Sequence, residues 1–391
     1  MSKARRVAIM IDLDWPYKRH SGVFAGTQQY AQEHGWESII DEFADHTLRA
    51  APGRPIPYDG VIARATPKLA LRSARLKIPV VNVWLSSPAW KKLPGVFPDF
   101  AAIGRMRAEH LLARGFRRFA ALTSNHNRGH AVELKAFSSA VIEAGCSCVA
   151  ENIPMHTTAT FQQARTAERK IAAWMNEWSP PVGVFVGAET YGRIVAQMCR
   201  YRGWRVPQDV AIITGANEET ICEHPRPTLT SVEIGYERIG YEAAKLLDQL
   251  MDGGSRPAEP ILLPALSLVV RESTDFFAVD DELIARALAY IAAKSHLEIG
   301  PDDVAEAVNT HRRTLQRHFL KYLGRPIATE IRRVRIERAK RELSQSNNSL
   351  AQIARDVGFG KAMRMYEVFQ RELGIAPSEY RRTRRYDKGV K

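Results

Sequence analysis

Short runs of consecutive hydrophobic residues alternate with amphipathic segments along the first 275 residues of the chain. Six of these runs predict strands, at 7–12, 60–63, 80–85, 118–123, 182–187 and 210–216. The segments between them predict helices near 21–34, 101–114, 130–144, 160–178 and 190–202. Strands that are apolar on consecutive residues are typical of parallel sheets covered by helices on both faces. We therefore predict two α/β lobes with parallel sheets and a ligand cleft between them, at the carboxyl ends of the strands.

The hydrophobic period becomes that of helices near residue 281, and no strand-like run follows. Two segments, 304–319 and 353–369, repeat one plan: a small Ala, a Val three residues later, a turn residue, and a helix with apolar residues four apart. These positions are Ala305, Val308, Asn309, Leu315 and Phe319, and then Ala354, Val357, Gly358, Met365 and Phe369. The small residue lets two helices cross closely, and the turn requires a positive φ that Gly adopts and Asn tolerates. The pattern predicts an all-α domain with two helix-turn-helix units.

A long helix is predicted between the two units, at 326–343. Its apolar residues form one stripe, made of Ile327, Ile331, Val334, Ile336, Ala339 and Leu343. We expect its arginines to face mostly outward; they are Arg332, Arg333, Arg335, Arg338 and Arg341. At about 1.5 Å per residue the helix is roughly 25 Å long, which would hold two reading helices about one duplex turn apart.

The 391-residue chain has 56 Lys and Arg against 43 Asp and Glu, a net charge of +13. Residues 281–391 contain 23 of the cations and 14 of the anions, so most of the surplus lies in the helical segment. A concentrated positive charge is typical of a surface that binds a polyanion. We therefore predict double-stranded DNA as the partner of this segment. A solvated basic helical bundle without a nucleic-acid role is the alternative.

Composition and motifs argue against several other classes. Hydrophobic residues make up 45% and charged residues 25% of the chain, as in ordinary globular proteins. No run approaches the roughly 20 apolar residues that cross a membrane, and we expect a cytoplasmic protein with no membrane contact. Four cysteines without a Cys-x-x-Cys pair predict neither a disulfide framework nor a metal site. Gly-x-Gly-x-x-Gly, phosphate-loop and Gly-x-Ser-x-Gly motifs are missing, so we predict no cofactor and no enzymatic activity.

Several segments of the first 275 residues resemble the type I periplasmic-binding-protein fold of LacI/GalR-type regulators. They are EHLLARGFRRFAALT at 109–123, GWRVPQDVAIITGANEE at 203–219, LTSVEIGYERIGYEAAKLLDQLMDG at 229–253 and LPALSLVVRES at 263–273. The order of these segments carries the resemblance as much as their residues do. It implies a ligand-sensing domain that binds a small sugar in the cleft.

Polar and aromatic residues follow the predicted strands at the edge that would face this cleft. The candidate ligand-binding residues are Tyr17, Arg19, Trp84, Asp99, Glu189 and Asn217. Carboxylates, amides and Arg bind sugar hydroxyls, and an aromatic ring stacks on the apolar face of a pyranose. Ala216 and Glu189 stand where the LacI/GalR pattern usually has Asp, which leaves the identity of the sugar open.

The outer faces of the two second helices supply candidate DNA contacts. These are Arg312, Arg313, Gln316 and Arg317 in the first unit, and Lys361 and Arg364 in the second. Arg suits guanine, Gln suits adenine, and any cation binds phosphate. The segment 302–382 resembles the AraC/XylS family, above all in GIAPSEYRR at 374–382. Glu367 and Gln370 replace that family's usual Arg and Lys, so it stays open whether the second unit reads bases or only holds phosphates.

The sensor comes first and the DNA reader last, an order that resembles the xylose operon regulator group. The resemblance implies a sugar-responsive activator of pentose-catabolism genes, working as a homodimer, with RNA polymerase as a further candidate partner. We predict a sensor at 1–275, a linker and first helix at 276–290, an AraC-type domain at 283–385 with units at about 302–320 and 350–370, and a basic tail at 386–391. A ligand-independent DNA-binding or architectural protein, and a regulator of a different small polar ligand, are the alternatives.

Overall fold

A computed structural model describes residues 4–48, 57–124, 127–154, 159–278 and 281–384. The strands are β1 (Arg6–Met10), β2 (Glu37–Ile40), β3 (Gly60–Ala63), β4 (Val80–Asn82), β5 (Val96–Pro98), β6 (Arg118–Thr123), β7 (Ser147–Asn152), β8 (Val182–Val186), β9 (Val210–Thr214), β10 (Thr230–Glu233), β11 (Ile261–Leu263) and β12 (Ser267–Val269). The first nine helices are α1 (Lys18–His34), α2 (Ala44–Thr47), α3 (Pro67–Leu76), α4 (Phe100–Ala113), α5 (Arg128–Glu143), α6 (Phe161–Met175), α7 (Glu189–Tyr201), α8 (Glu219–Glu223) and α9 (Tyr236–Met251). A 3₁₀ turn at Glu272–Thr274 precedes α10 (Glu282–Lys294), α11 (Pro301–Ala307), α12 (Arg312–Leu323), α13 (Ile327–Gln345), α14 (Leu350–Asp356), α15 (Ala362–Leu373) and α16 (Pro377–Arg384).

The first lobe is built on a parallel sheet in the order β2-β1-β3-β4. Helices α1 and α9 pack together on one side of it. They cross at Gly26 and Gly240, where a Cβ on Gly26 would lie 1.7 Å from the Glu237 carbonyl oxygen and a Cβ on Gly240 1.9 Å from that of Val23. Only glycine allows the two backbones to approach this closely.

The second lobe contains a six-stranded sheet in the order β12-β10-β9-β8-β6-β7, parallel except for the antiparallel edge strand β12. Every residue of β8 and β9 is buried, as expected for central strands covered on both faces. A short parallel pair, β5 with β11, forms a third sheet. The predicted two-lobed α/β architecture is confirmed.

The six predicted runs correspond to β1, β3, β4, β6, β8 and β9 and leave out the other six strands, of which β2 and β7 lie at sheet edges. Strands β2 and β7 contain only exposed and partly buried residues, and their apolar runs are no longer than three residues. Edge strands have one neighbour and are only partly covered, so their sequences do not need to be apolar throughout. Their positions depend on pairing with β1 and β6.

The C-terminal helices enclose two small hydrophobic cores that share the helix α13. Its N-terminal half, with Ile327 and Ile331, packs in the core of the first helix-turn-helix unit. Its C-terminal half, with Ile336, Ala339 and Leu343, packs in the core of the second. The predicted apolar stripe and the all-α character of this domain are confirmed.

Both turns have the predicted backbone conformation. The φ angle is 55° at Asn309 and 89° at Gly358. A Cβ on Gly358 would lie 2.2 Å from the carbonyl oxygen of Ser295. Glycine is therefore required in the second turn for its conformation and for the space it leaves.

The expectation that the arginines of α13 face outward is wrong for Arg335. Its side chain is only 5% exposed. It donates hydrogen bonds to the carbonyl oxygens of Ser295 at 2.8 Å, Leu297 at 2.8 Å and Ile299 at 3.0 Å. These carbonyls lie in the non-helical segment that follows α10, and carbonyl oxygens in the interior require hydrogen-bond donors. Arg335 is a structural residue.

Within the described ranges, no helix is long and apolar enough to cross a membrane. The same ranges contain no group of three or more His, Cys, Asp or Glu arranged to hold a metal ion.

Candidate ligand cleft and nucleic-acid interface

A cavity of about 430 Å³ lies between the two lobes. It is bordered by residues that follow strands of both sheets, where the strands' carboxyl ends meet. Its lining consists of Trp15, Tyr17, Arg19, Arg64, Trp84, Ser86, Ser124, Asn127, His130, Gly187, Ala188, Glu189, Thr190, Tyr191, Ala216, Glu218 and Tyr236. The volume is that of a small-molecule site.

The wall contributed by the first lobe is cationic and aromatic. The guanidinium of Arg64 lies 4.5 Å from the ring centre of Trp84 and 5.3 Å from that of Trp15, and the guanidinium of Arg19 lies 5.8 Å from Trp15. Burial and the neighbouring Arg19 lower the pKa of Arg64 to about 10. Among the described residues no carboxylate forms an ion pair with either guanidinium, and Nε of Arg64 is buried without a hydrogen-bond partner. These donors are available to a ligand.

The wall contributed by the second lobe is acidic. Glu189 is the first residue of α7 and is buried. Its carboxylate accepts hydrogen bonds from the backbone N–H groups of Ala216 and Glu218. The Glu218 carboxylate accepts from the backbone N–H of Lys18 at 3.0 Å, which joins the two lobes. Burial and the nearby Glu189 raise the pKa of Glu218 to about 6. The ligand therefore meets hydrogen-bond acceptors on this side.

The cavity is also lined by uncharged polar side chains, among them Asn127 and His130. Burial, together with Arg107 and Arg19, lowers the pKa of His130 to about 4, so the ring is neutral at pH 7. Its Nδ1 has no hydrogen-bond partner within the part of the chain that the structure describes. Asn127 caps α5, its Oδ1 accepting from the backbone N–H of Gly129 at 2.9 Å. His130 thus presents a ring nitrogen to whatever fills the cleft.

Four of the six predicted ligand-binding residues line the cavity, namely Tyr17, Arg19, Trp84 and Glu189. Asp99 does not: it caps α4, its Oδ1 accepting from the backbone N–H of Ala102 at 2.9 Å. Sequence position at a strand end did not distinguish a capping carboxylate from a ligand-binding one, since both follow a strand.

Asn217 also lies outside the cavity lining. It is buried, with a φ of 58°, and its Nδ2 donates to Glu233 at 2.8 Å. Its Oδ1 accepts from Ser231 at 2.9 Å and from Arg271 at 2.8 Å. The amide is thus used to hold the loop after β9 to strand β10. The structure thus places Asn217 apart from the cavity lining, and a contact between Asn217 and a ligand stays a prediction.

The sequence pattern missed Trp15, Arg64, His130 and Glu218. Arg64 had a usable signal, because it directly follows the predicted strand at 60–63. Trp15 and Glu218 stand several residues beyond a strand, and His130 stands inside a predicted helix. Only the packing of the two lobes brings these residues to one cavity.

The first reading helix, α12, exposes Arg312, Arg313 and Arg317 along one face. Arg312 forms an exposed ion pair with Asp302 at 2.9 Å. Gln316 is partly buried, and its side-chain oxygen lies 3.4 Å from the backbone N–H of Ile327. Three of the four predicted contacts in this unit are therefore exposed, one of them paired with Asp302, and Gln316 lies beside the start of α13.

The second reading helix, α15, exposes the predicted residues Lys361 and Arg364. The same face contains Met363, which is 67% exposed, and also exposes Tyr366 and Glu367. Met363 lies off the buried stripe of Met365 and Phe369, a signal that the helical period already contained. The face is thus cationic with an exposed apolar centre, and apolar side chains in a major groove contact thymine methyl groups.

Comparison with known proteins agrees with both halves of the molecule. Residues 108–274 match the periplasmic binding protein-like domain, and residues 304–383 match a helix-turn-helix domain. The xylose operon regulatory proteins of Haemophilus influenzae and Escherichia coli strain K12 are each 27% identical to this chain over 387 residues, covering 96% and 97% of it and 98% and 97% of themselves.

The solved structure of a xylose-binding transcription activator superposes with a TM-score of 0.58 at 24% identity, covering 98% of this chain and all of that one. These relatives are transcription regulators, and a ligand-independent architectural protein is not favoured. The order of the two domains and the full-length similarity lead to one conclusion: the chain is a DNA-binding transcription regulator similar over its whole length to xylose operon regulators, with a periplasmic-binding-protein-like sensor ahead of an AraC-type helix-turn-helix domain.

Proposed function

We propose that the chain binds D-xylose or a related pentose in the cleft and responds by changing how its helix-turn-helix domain engages DNA. The observation that carries this proposal is the chemical difference between the two walls of the cavity. A sugar hydroxyl both donates and accepts hydrogen bonds. A neutral sugar can therefore donate to Glu189 and Glu218 while it accepts from Arg19 and Arg64, so that both lobes hold it at once.

The aromatic residues Trp15 and Trp84 supply the apolar surface that a sugar ring requires, with Tyr17 beside them at a ring distance of 6.2 Å from Trp15. Xylose itself comes from the names of the relatives: two are xylose operon regulatory proteins, and the similar solved structure is that of a xylose-binding activator.

Calorimetry of the full chain against D-xylose, L-arabinose, D-ribose and D-glucose tests the ligand. We expect a pentose to bind, and Trp84→Ala or Arg64→Ala to weaken binding at least tenfold, about 1.4 kcal/mol. Trp90→Ala is the matched control, because Trp90 also lies under an arginine, Arg128 at 4.6 Å, but outside the cavity. If no sugar binds, or if Trp90→Ala weakens binding as much as Trp84→Ala, the proposed site is wrong.

We propose that α12 and α15 enter neighbouring turns of the major groove on one face of DNA. Helix α13 has 19 residues, about 28 Å, which is close to the distance between successive turns. The contacts would come from Arg312, Arg313, Gln316 and Arg317, and from Lys361 and Arg364.

Gel-shift titrations at several salt concentrations test these contacts. If Arg313 reads a base, Arg313→Ala should cost about 1–3 kcal/mol and relax sequence preference at one position, whereas a phosphate contact should lower the salt slope by about 1. Arg286→Ala is the control, since Arg286 is an exposed arginine on α10 outside both reading helices. Equal losses in the two variants would contradict a specific role for Arg313.

We further propose that two copies act together and activate transcription of pentose-catabolism genes through RNA polymerase, in the cytoplasm where that DNA lies. Sedimentation of the full chain with and without DNA measures the oligomer. Transcription in vitro with purified polymerase, with and without D-xylose, measures activation. A monomer on DNA, or a fall in transcript on adding sugar, would contradict the respective part.

A further inference from the structure

Helix α4 extends from the ligand cleft to the DNA reader. At its N-terminal end, Phe100 lines a small cavity that adjoins the cleft and shares Trp84 and Tyr236 with it. At its C-terminal end, Ala113 and Arg114 contact the helix-turn-helix domain and the segment that leads into it. The helix has 14 residues and is about 20 Å long. One rigid element therefore contacts both functional parts of the molecule.

On the side of the cleft, α4 is held through Arg107, which lies in the middle of the helix. This side chain is 1% exposed, and its Nη2 donates to the carbonyl oxygen of Gly215 at 2.7 Å and lies 2.9 Å from the carboxylate of Glu133. The next residue after Gly215, Ala216, donates its backbone N–H to Glu189 in the acidic wall. A ligand that displaces the Glu189 side chain would therefore also displace the Gly215–Ala216 loop, to which Arg107 is hydrogen-bonded.

At the reader end, the last carbonyl oxygen of α4 accepts a hydrogen bond from the reader. Nη2 of Arg325, at the start of α13, lies 3.3 Å from the Ala113 oxygen, while its Nε donates to Glu330 at 2.6 Å. The Glu330 side chain is fully buried and also binds Arg333. The contact with α4 is thus anchored in the interior of the DNA-binding domain.

The connecting segment 276–278 is packed into both domains. Phe276 and Ala278 pack against a core of the sensor, whereas Phe277 belongs to the core of the first helix-turn-helix unit. The backbone N–H of Ala278 donates to the carbonyl oxygen of Arg114 at 2.7 Å, and the Arg114 guanidinium lies 5.7 Å from the Phe277 ring. A close-packed interior transmits a small shift of one element to its neighbours, because its side chains can pack only in a few discrete arrangements. Residues 276–278, which were expected to belong to a linker, therefore pack against the cores of both domains.

We propose that α4 couples the occupancy of the cleft to the reader, with Arg107 as its positioning residue at the cleft and Arg325 as its contact on the reader. This inference rests on the proposed function, because it requires a ligand in the cleft. The ligand shifts the Gly215–Ala216 loop, Arg107 transfers the shift to α4, and the contact of Ala113 with Arg325 changes the orientation of α13 with its two reading helices. Such coupling requires that the ligand has different affinities for the two arrangements.

The matched pair Arg325→Ala and Arg333→Ala tests the reader end. Both variants remove one partner of Glu330, but within the described residues Arg325 also donates a hydrogen bond to the sensor, at Ala113, whereas the hydrogen bonds of Arg333 go to Glu330. The measured quantity is the ratio of DNA dissociation constants without and with saturating D-xylose, for the full chain. Couplings of this kind are typically 5- to 150-fold. We expect Arg325→Ala to bring the ratio to within about twofold of one and Arg333→Ala to keep the wild-type ratio.

Calorimetry provides a second readout that a purely structural role would not change. Because coupling is reciprocal, DNA should shift the D-xylose affinity of the wild type and of Arg333→Ala by the same factor, and should not shift that of Arg325→Ala. The D-xylose affinity of Arg325→Ala without DNA should stay near the wild-type value, since the substitution lies far from the cleft.

The double variant Arg107→Gln/Glu133→Gln tests the other end of α4. It removes both buried charges together, so that neither is left without its partner. We expect D-xylose still to bind and the DNA affinity no longer to respond. If wild type responds to D-xylose and both Arg325→Ala and this double variant respond equally, the coupling role of α4 is overturned while the sugar response stands. If wild type responds to none of D-xylose, L-arabinose and D-ribose, the proposed function falls, and this inference falls with it.

Discussion

Replacing Arg335 separates a structural role from a DNA-binding role for the arginines of α13. The side chain donates three hydrogen bonds to carbonyl oxygens at 2.8 to 3.0 Å, and it is nearly buried. A net contribution of about 1 kcal/mol for each hydrogen bond predicts that Arg335→Ala lowers the free energy of unfolding of the reader by about 3 kcal/mol. For a domain of roughly 100 residues this corresponds to a fall in Tm of more than about 10 °C.

The chain offers a way to observe the two domains separately. All seven tryptophans precede residue 205, so tryptophan fluorescence reports only the sensor. Helical circular dichroism reports both domains. We expect Arg335→Ala to move a helical transition to lower temperature while the fluorescence transition stays in place. Arg313→Ala, an exposed substitution on α12, should leave both transitions within about 0.5 kcal/mol of wild type and weaken DNA binding.

The opposite pattern would refute this account of Arg335. If Arg335→Ala unfolds at the wild-type temperature and only its DNA affinity falls, with a smaller salt slope, then the side chain contacts phosphate and the three carbonyl contacts contribute nothing measurable.

Three further changes have defined outcomes. Burial opposes ionisation of Glu330, but its ion pairs with Arg333 and Arg325 hold its pKa below the usual value. Its contribution to stability is present above about pH 4.5 and is lost as the pH falls through the lowered pKa, so Glu330→Gln should flatten the pH dependence of reader unfolding below about pH 4.5. Because the pKa of Glu218 is about 6, pentose affinity measured by calorimetry should fall as the pH is lowered from 7 to 5, and Glu218→Gln should remove that dependence. Gly358→Ala should destabilise the reader by about 1–3 kcal/mol more than Gly324→Ala in thermal unfolding, since both have positive φ but only Gly358 would place a Cβ against Ser295; equal losses would contradict the close contact.

The cleft shows where prediction from sequence stopped. Trp84 and Glu189 were found because each stands near the end of an apolar strand, and parallel strands bring their carboxyl ends to one edge. Asp99 and Asn217 stand at equivalent places, yet one caps a helix and the other binds a neighbouring strand. Carboxyl and amide groups serve a ligand or the backbone equally well, and the choice depends on which partner lies within 3 Å.

The sequence by itself determined the central strands of the sensor, the helical character of the reader and the order of the two domains. A continuous apolar run indicates a strand that is buried on both faces, and a helical period of apolar residues indicates a helix that is buried on one face. Gly358 indicates a turn with a left-handed backbone conformation. These signals depend only on residues that are near one another in the chain. The tertiary structure decided which polar side chains are bound within the protein and which are exposed to solvent or to a partner. Arg335 and Arg313 are both arginines on helical segments, but the carbonyls that follow α10 surround one and solvent surrounds the other. Long-range packing also placed Arg64 beside Trp84, and it packed residues 276–278 of the expected linker against both domains. These contacts join segments that are distant in sequence, so only folding brings them together.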